Sequence, residues 1–241
     1  ATSLSVEQLK QILDQNQIGF DDRALKYGCL TVRNKKRSFQ ITSFRKDIRT
    51  FGRAADIELV KNIEEDAKRR DFTINAIYCS YSGQIIDPLG NLEDLNKIKL
   101  DFIGDPEFRI KEDYLRILRF FRFVAVLDLK DENVASDKLP IIKKHINGIS
   151  DLSYERVASE IRKILLARSP SFSLKLMNKV DLYKKLFGNY SQSALLKLEK
   201  LEKRFNLTPS LVRRLLALEM KTSIPVSYTH LRAHETREDR V

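Results

Sequence analysis

The chain has few of the residues that mark secreted, membrane or zinc-bound proteins. Its 241 residues include two cysteines, Cys29 and Cys79, far apart and with no zinc-ligand spacing around either. That excludes a disulfide framework and a structural zinc site, and both thiols are expected to be buried and reduced, as in a cytoplasmic protein. No apolar run reaches membrane-spanning length, and the N-terminus has no signal-peptide layout. Internal repeats and low-complexity stretches are also lacking. Positive charge, by contrast, is plentiful: 44 Lys and Arg face 33 Asp and Glu, for a formal net charge of +11. Such an excess favours a polyanionic partner, nucleic acid ahead of a membrane surface. It is concentrated in stretches such as Arg33 to Arg37 and Lys197 to Arg204, each of which alone also reads as a solvated face. The apolar fraction of 42% is that of a globular protein, long enough for one large domain or two modest ones.

The style of the sequence changes near residue 105. Before it, helices and strands mix. Ser5 and Gln8 form a capping-box pattern for a helix through about Leu13. Leu30 to Val32 and Phe39 to Phe44 read as strands around the polar turn Arg33-Asn34-Lys35-Lys36-Arg37. Ile63 to Arg70 reads as a short helix, and Ala76 to Cys79 with Gln84 to Ile86 as a hairpin about Ser82-Gly83. After residue 105 the pattern is helical. Arg109 to Leu127 is the longest periodic segment, Ser153 caps a helix to about Ala167, Ser171 caps one that stops at Gly188, and Thr208-Pro209 starts another. The expected class is α+β, an α+β part followed by an all-helical part.

Two groups of residues stand out from core and surface patterning. In KRRDFTINAI (68–77), Phe72, Ile74 and Ile77 suit a core, whereas Asp71 and Asn75 sit at its edge and need hydrogen-bond partners, from the protein or from a ligand. In RIKEDYLRILRFFRF, Ile110, Tyr114, Ile117, Phe121 and Val124 make an ordinary core stripe. Asp113, Arg116, Arg119 and Arg122 recur every third residue, so their row winds round the helix, and Phe120, Phe123 and Leu127 place its later part along a partly buried surface. One reading is a solvated row with an Asp113–Arg116 ion pair, worth about a few tenths of a kcal/mol. The other uses the paired donors of Arg and paired acceptors of Asp, the complement of a nucleotide base edge.

RRDFTINA, then DPLGNLEDL, then GDPEFRIKEDYLRILRFFRF resembles the class II tRNA nucleotidyltransferases, the CCA-adding enzymes and bacterial poly(A) polymerases, in order and spacing as well as in letters. FQITSFRKDIRTFGRAADIELVKNIEEDAKRR resembles the strand and loop before the first block, and ISDLSYERVASEIRKILL the block after the long helix. The resemblance runs from Ala1 to roughly residue 190. It implies the remainder of a nucleotidyltransferase head over 1–104, a mixed sheet with helices. It further implies a helical neck over 105–168 and the start of a helical body over 169–225. It also implies that Arg70 contacts a triphosphate, that Asp71 contacts the ribose and that Asn75 fixes their turn. Asp113 and Arg116, from the family's E-D-x-x-R, would read CTP or ATP without a template, with Arg119 and Arg122 serving the triphosphate or orienting that pair. Asp87, Gly90 and Asp94 match a flexible element linked to switching from C to A addition, and the helix near Arg156 would brace the reading helix.

The implied reaction transfers a nucleotidyl group from CTP or ATP to a tRNA 3′-hydroxyl, with two Mg²⁺ held by an Asp-x-Asp pair. That pair and the family's Gly-Gly loop are expected upstream of Ala1, since ATSLSVEQL matches the sequence just past them. Asp47 and Asp56 are isolated, and Gln40 stands where relatives have Glu. The chain as given is therefore expected to lack transferase activity. Poly(A) polymerase and a non-catalytic RNA-binding relative remain alternatives. At the other end, Val226 to Thr236 matches, codon by codon, a frame of a sequencing-library transposase adapter. Residues 226–241 are expected to be non-native, which is a duller account of His230, His234 and Glu235 than a metal site.

Overall fold

The computed structural model describes residues 1–34, 37–51, 54–131, 134, 137–188 and 192–218. The expectations for the 226–241 tail, and for Lys35 and Lys36 in the basic turn, lie outside these residues. The chain divides into two compact units, Ala1–Asn96 and Lys97–Val241.

In the first unit, α1 (Val6–Gln15) begins with the expected capping box. Ser5 Oγ accepts from the Gln8 N–H at 3.3 Å, and Gln8 Oε1 accepts from the Ser5 N–H at 2.9 Å. Val6, Leu9 and Leu13 recur at helical spacing, so they share one face and bury it against Leu30 and Val32. Those two residues belong to β2 (Cys29–Asn34), which pairs antiparallel with β3 (Arg37–Thr42) in the register Leu30–Ile41 and Val32–Phe39. β1 (Phe20–Asp21) lies on the other side of β2. A parallel bridge joins Thr2 to Ser43, with the Phe44 N–H donating to the Thr2 carbonyl at 2.7 Å.

A second hairpin, β4 (Arg45–Phe51) and β5 (Ala54–Leu59), has a register shift between Asp47 and Arg49. Sequence patterning offers no strand here because the clear apolar alternation is absent: Ile48 is itself exposed. α2 (Ile63–Lys68) follows, N-capped by Asn62, then a 3₁₀ turn at Thr73–Ala76. The hairpin β6 (Tyr78–Cys79) with β7 (Ile85–Ile86) closes about Gly83, and α3 (Leu92–Asn96) ends the unit. Cys29 is buried as expected, but Cys79 is exposed, at the outward position of the two-residue strand β6, whose other residue, Tyr78, is half-buried.

The second unit is helical. The expected continuous helix from Arg109 to Leu127 is instead two, α4 (Pro106–Glu112) and α5 (Leu115–Val126). Asp113 breaks it with extended backbone, φ −154° and ψ 105°. α5 is buried on most of its circumference, and Phe120 stacks on Phe102 at 5.9 Å between ring centroids. It packs against α7 (Tyr154–Leu166) and α8 (Pro170–Lys179), with α6 (Lys138–His145) lying on α4.

Ser153 stands at the N-cap of α7, yet its hydroxyl makes no cap hydrogen bond and is buried without a partner. The helix expected from Ser171 to Gly188 is also divided. Asp181, at φ 63°, separates α8 from α9 (Leu182–Phe187), and left-handed backbone cannot continue a helix. Ser171 does not cap; its N–H and hydroxyl donate to Glu199 of α10 (Ser193–Arg204) at 2.8 and 2.6 Å. α11 (Leu211–Ala217) starts just past Pro209, capped by Ser210. Its buried Arg214 reaches Glu202 of α10 and the Leu165 and Ala167 carbonyls at the end of α7, tying three helices together. Among the described residues no helix is long and apolar enough to cross a membrane.

Candidate functional site

Within the first unit the K-R-R-D block is organised by one carboxylate. Asp66, on α2, is 1% exposed. Its Oδ1 accepts from Arg69 Nε and Nη2 at 2.9 and 2.7 Å, and from the Arg45 backbone N–H at 3.3 Å. Its Oδ2 accepts from Arg70 Nη2 at 2.9 Å and from the Tyr78 hydroxyl at 2.7 Å. Burial raises the Asp66 pKa, but the Tyr78 hydroxyl and the two arginines outweigh it and hold the carboxyl below its ordinary value. Burial and the adjacent Asp66 push the Tyr78 hydroxyl the other way, to about 12.

Asp71 and Asn75 find their partners in each other. Asp71 is buried, and its Oδ1 accepts from Asn75 Nδ2 at 2.8 Å and from the Phe72 N–H at 3.1 Å. The Asn75 N–H donates to the Phe72 carbonyl, and the Asn75 carbonyl accepts from Arg70 Nη1 at 3.3 Å. Arg70, Asp71 and Asn75 therefore form one hydrogen-bonded turn. Farther along, Asp87 Oδ2 accepts from the Leu92 N–H at 2.7 Å, Gly90 takes a left-handed φ of 71°, and the Asp94 N–H donates to Asn91. Asp87, Gly90 and Asp94 thus form the turn into α3.

Within the second unit the break between α4 and α5 places Asp113. Its Oδ1 accepts from the Leu115 N–H at 3.1 Å, at the start of α5. Its Oδ2 accepts from Arg156 Nη2 of α7 at 2.6 Å, in an ion pair about a quarter exposed. Arg116, the i+3 residue, is buried and donates from Nη1 to the Arg109 carbonyl at 2.8 Å and to Glu112 Oε2. Glu112 also accepts from Arg109 Nη1 at 2.5 Å, so it bridges an arginine on each side of the break. Asp113 is thus drawn to Arg156 and Arg116 to Glu112, in place of the solvated i,i+3 pair that helix spacing alone allows. Tyr114 crowds Gly148: a methyl group at that glycine would overlap its ring. Arg122 pairs with Glu160 of α7 at 3.2 Å and lies over the Phe123 ring, while Arg119 is half-buried on α5.

Sequence reasoning left out Asp66, Arg69, Tyr78 and Glu112. The first, second and fourth were within reach, since acids and arginines three and four apart on a helix meet. Tyr78 carried no such signal, because its hydroxyl reaches Asp66 only after the chain turns at Thr73–Ala76. Among the described residues no group of three or more His, Cys, Asp or Glu side chains is placed to hold a metal ion.

This combination, a small α+β unit carrying an R-R-D turn and a helical unit carrying an anchored E-D-x-x-R, defines a class. Residues 1–101 match the poly A polymerase head domain, and residues 138–192 match the family described as a probable RNA and SrmB-binding site of polymerase A. The chain belongs to this family of nucleotidyltransferases, the one that includes CCA-adding enzymes. It is 34% identical over 182 residues to the human mitochondrial CCA tRNA nucleotidyltransferase 1, covering 75% of this chain and 42% of that protein. It is 34% identical over 190 residues to the CCA-adding enzyme of Streptococcus uberis, covering 78% and 45%. Among solved structures it resembles the Bacillus stearothermophilus CCA-adding enzyme in complex with CTP. That match has a TM-score of 0.63 at 31% identity and covers 75% of this chain and 43% of the other. The chain spans less than half the length of these relatives.

Proposed function

We propose that this chain is the nucleotide-selecting part of a nucleotidyltransferase that adds C and A to the 3′ end of tRNA from CTP and ATP, releasing pyrophosphate. The observation that carries this reading is the anchoring of Asp113 and Arg116 at the break between α4 and α5. Arg offers paired donors and Asp paired acceptors, which match the Watson–Crick edge of a base. Side chains read an edge well only when held rigidly, and here each is held by a charged partner, Asp113 by Arg156 and Arg116 by the Glu112 it shares with Arg109. Relatives named as CCA-adding enzymes and their CTP complex support the same assignment.

In this reading Arg70 binds the triphosphate, Asp71 the ribose, and Asn75 secures their turn. Arg119 and Arg122 serve the triphosphate or orient the reading pair. Asp87, Gly90 and Asp94 form the element that switches from C to A. Residues 1–104 are the remainder of the head, 105–168 the neck and 169–225 the start of the body. Exposed lysines of α10, whose Glu199 and Glu202 are turned inward, meet tRNA phosphates. The protein works in the cytoplasm and uses Mg²⁺. Among the described residues no group of three or more His, Cys, Asp or Glu side chains is placed to hold that ion, and the chain by itself is expected to transfer nothing.

The test is to incubate the complete enzyme with tRNA lacking its terminal CCA, together with CTP and ATP. Three defined additions are expected. A long A tail would make the protein a poly(A) polymerase, and salt-dependent tRNA binding without addition would make it a non-catalytic RNA-binding relative.

A further inference from the structure

Two guanidiniums, those of Arg69 and Arg70, share the single carboxylate of Asp66. A carboxylate shared between two guanidiniums does not by itself fix the tilt of either one. The third group at the junction is Tyr78. Its hydroxyl donates to Asp66 Oδ2 at 2.7 Å and accepts from Arg70 Nε at 3.1 Å. Its ring lies under the same guanidinium, 4.8 Å from centroid to Cζ, and is itself held edge-on by Phe44 at 6.3 Å. Arg70 is thus fixed in the plane of its fork by the hydroxyl and in its tilt by the ring face.

We propose that Tyr78 is a positioning residue for phosphate binding: by holding Arg70 between its hydroxyl, its ring and Asp66, it sets the guanidinium to meet the triphosphate of an incoming nucleotide. The proposal rests on Arg70 contacting the triphosphate, as read above. It adds a residue outside the R-R-D block, one that touches no substrate and acts through Arg70. Phenylalanine at this position would keep the ring and its contact with Phe44, and would remove only the hydroxyl between Asp66 and Arg70.

The experiment titrates the full chain with CTP and with cytidine, for the wild type, Tyr78→Phe and Arg70→Ala. The quantity read is the ratio of the two affinities, which a loss of folded protein lowers equally in both and so leaves unchanged. The wild type should favour CTP. Arg70→Ala should abolish most of that preference, and Tyr78→Phe should cut it about 3- to 10-fold, less than the full effect of one hydrogen bond to a charged group because Tyr78 acts through Arg70, with cytidine affinity unchanged. If the wild type shows no preference, or Arg70→Ala leaves it intact, the triphosphate reading of Arg70 fails and this proposal fails with it. If Arg70→Ala removes the preference while Tyr78→Phe keeps the wild-type ratio, the role of Tyr78 alone is overturned.

Discussion

In the head unit one buried carboxylate, Asp66, serves two arginines, a tyrosine and a backbone N–H; in the helical unit the acid and the arginine of the motif are held by two different groups, Glu112 being shared between Arg116 and Arg109. Asp113 goes to Arg156, and Arg116 to Glu112. In the proposed reading the difference suits what each place has to hold. A triphosphate is met by positive donors alone, whereas a base edge presents donors and acceptors together and needs both kinds held still. Burial differs as well: Asp66 is 1% exposed, while the Asp113 side chain is 24% exposed. The first arrangement should therefore contribute more to stability than the second.

Substituting the two carboxylates tests that contrast most strongly. Asp66→Ala leaves two half-buried arginines and a tyrosine hydroxyl without their acceptor, and should destabilise the protein by about 3–5 kcal/mol. Asp113→Ala removes a partly exposed pair and should cost about 1 kcal/mol or less. Urea unfolding of both variants checks the difference, and equal losses would erase it.

Crowding at the break is a second handle. Gly148→Ala would drive a methyl group into the Tyr114 ring, next to Asp113, at a cost of about 1–3 kcal/mol. Base selectivity should weaken with it, whereas an alanine elsewhere in the 3₁₀ stretch at Ile146–Asp151 should leave selectivity alone.

Alkaline pH tests the Asp66 cluster more gently. In the folded state the Tyr78 hydroxyl titrates at about 12 against an ordinary value of 10.0. Between those values the folded protein binds the extra proton, so stability must fall as pH rises from 10 to 12. Tyr183 of α9 is raised to about 12 by burial alone and adds a slope of the same sign. Tyr78→Phe should therefore flatten the fall in melting temperature over that range without removing it. The lowered Asp66 pKa acts at the other end, its contribution being lost as acid protonates the carboxyl.

The smallest effect is expected at Ser153. An N-cap serine ordinarily contributes about 1 kcal/mol, but this one makes no cap bond, so Ser153→Ala should stay within about 0.5 kcal/mol. Ser5→Ala in the complete capping box of α1 should cost the usual amount and serves as the control.

Much of this was legible in the sequence because it is local. The capping box of α1, the face made by Val6, Leu9 and Leu13, and the β2–β3 hairpin follow from spacing alone. The R-R-D and E-D-x-x-R blocks were visible as charge patterns that packing does not require. What escaped depends on a single backbone state or on distant partners. Nothing in RIKEDYLRI forbids helix at Asp113, and the break is fixed by contacts with Glu112, Leu115 and Arg156, the last of them 43 residues away. Asp181 could not be foreseen as a helix breaker for the same reason. β4 and β5 pair through their backbones while the clear apolar alternation that marks a strand is lacking.

The most direct test of the whole account is the nucleotide selectivity of the complete enzyme carrying Asp113→Ala, read from incorporation of each of the four nucleotides into tRNA. One base-reading contact provides about 1–3 kcal/mol of discrimination. The wild type should take CTP and ATP, and the variant should lose its preference for them over GTP and UTP, by about 10- to 100-fold, while remaining folded. Unchanged selectivity in a folded variant would contradict the reading role of Asp113 and, with it, the site proposed for this chain.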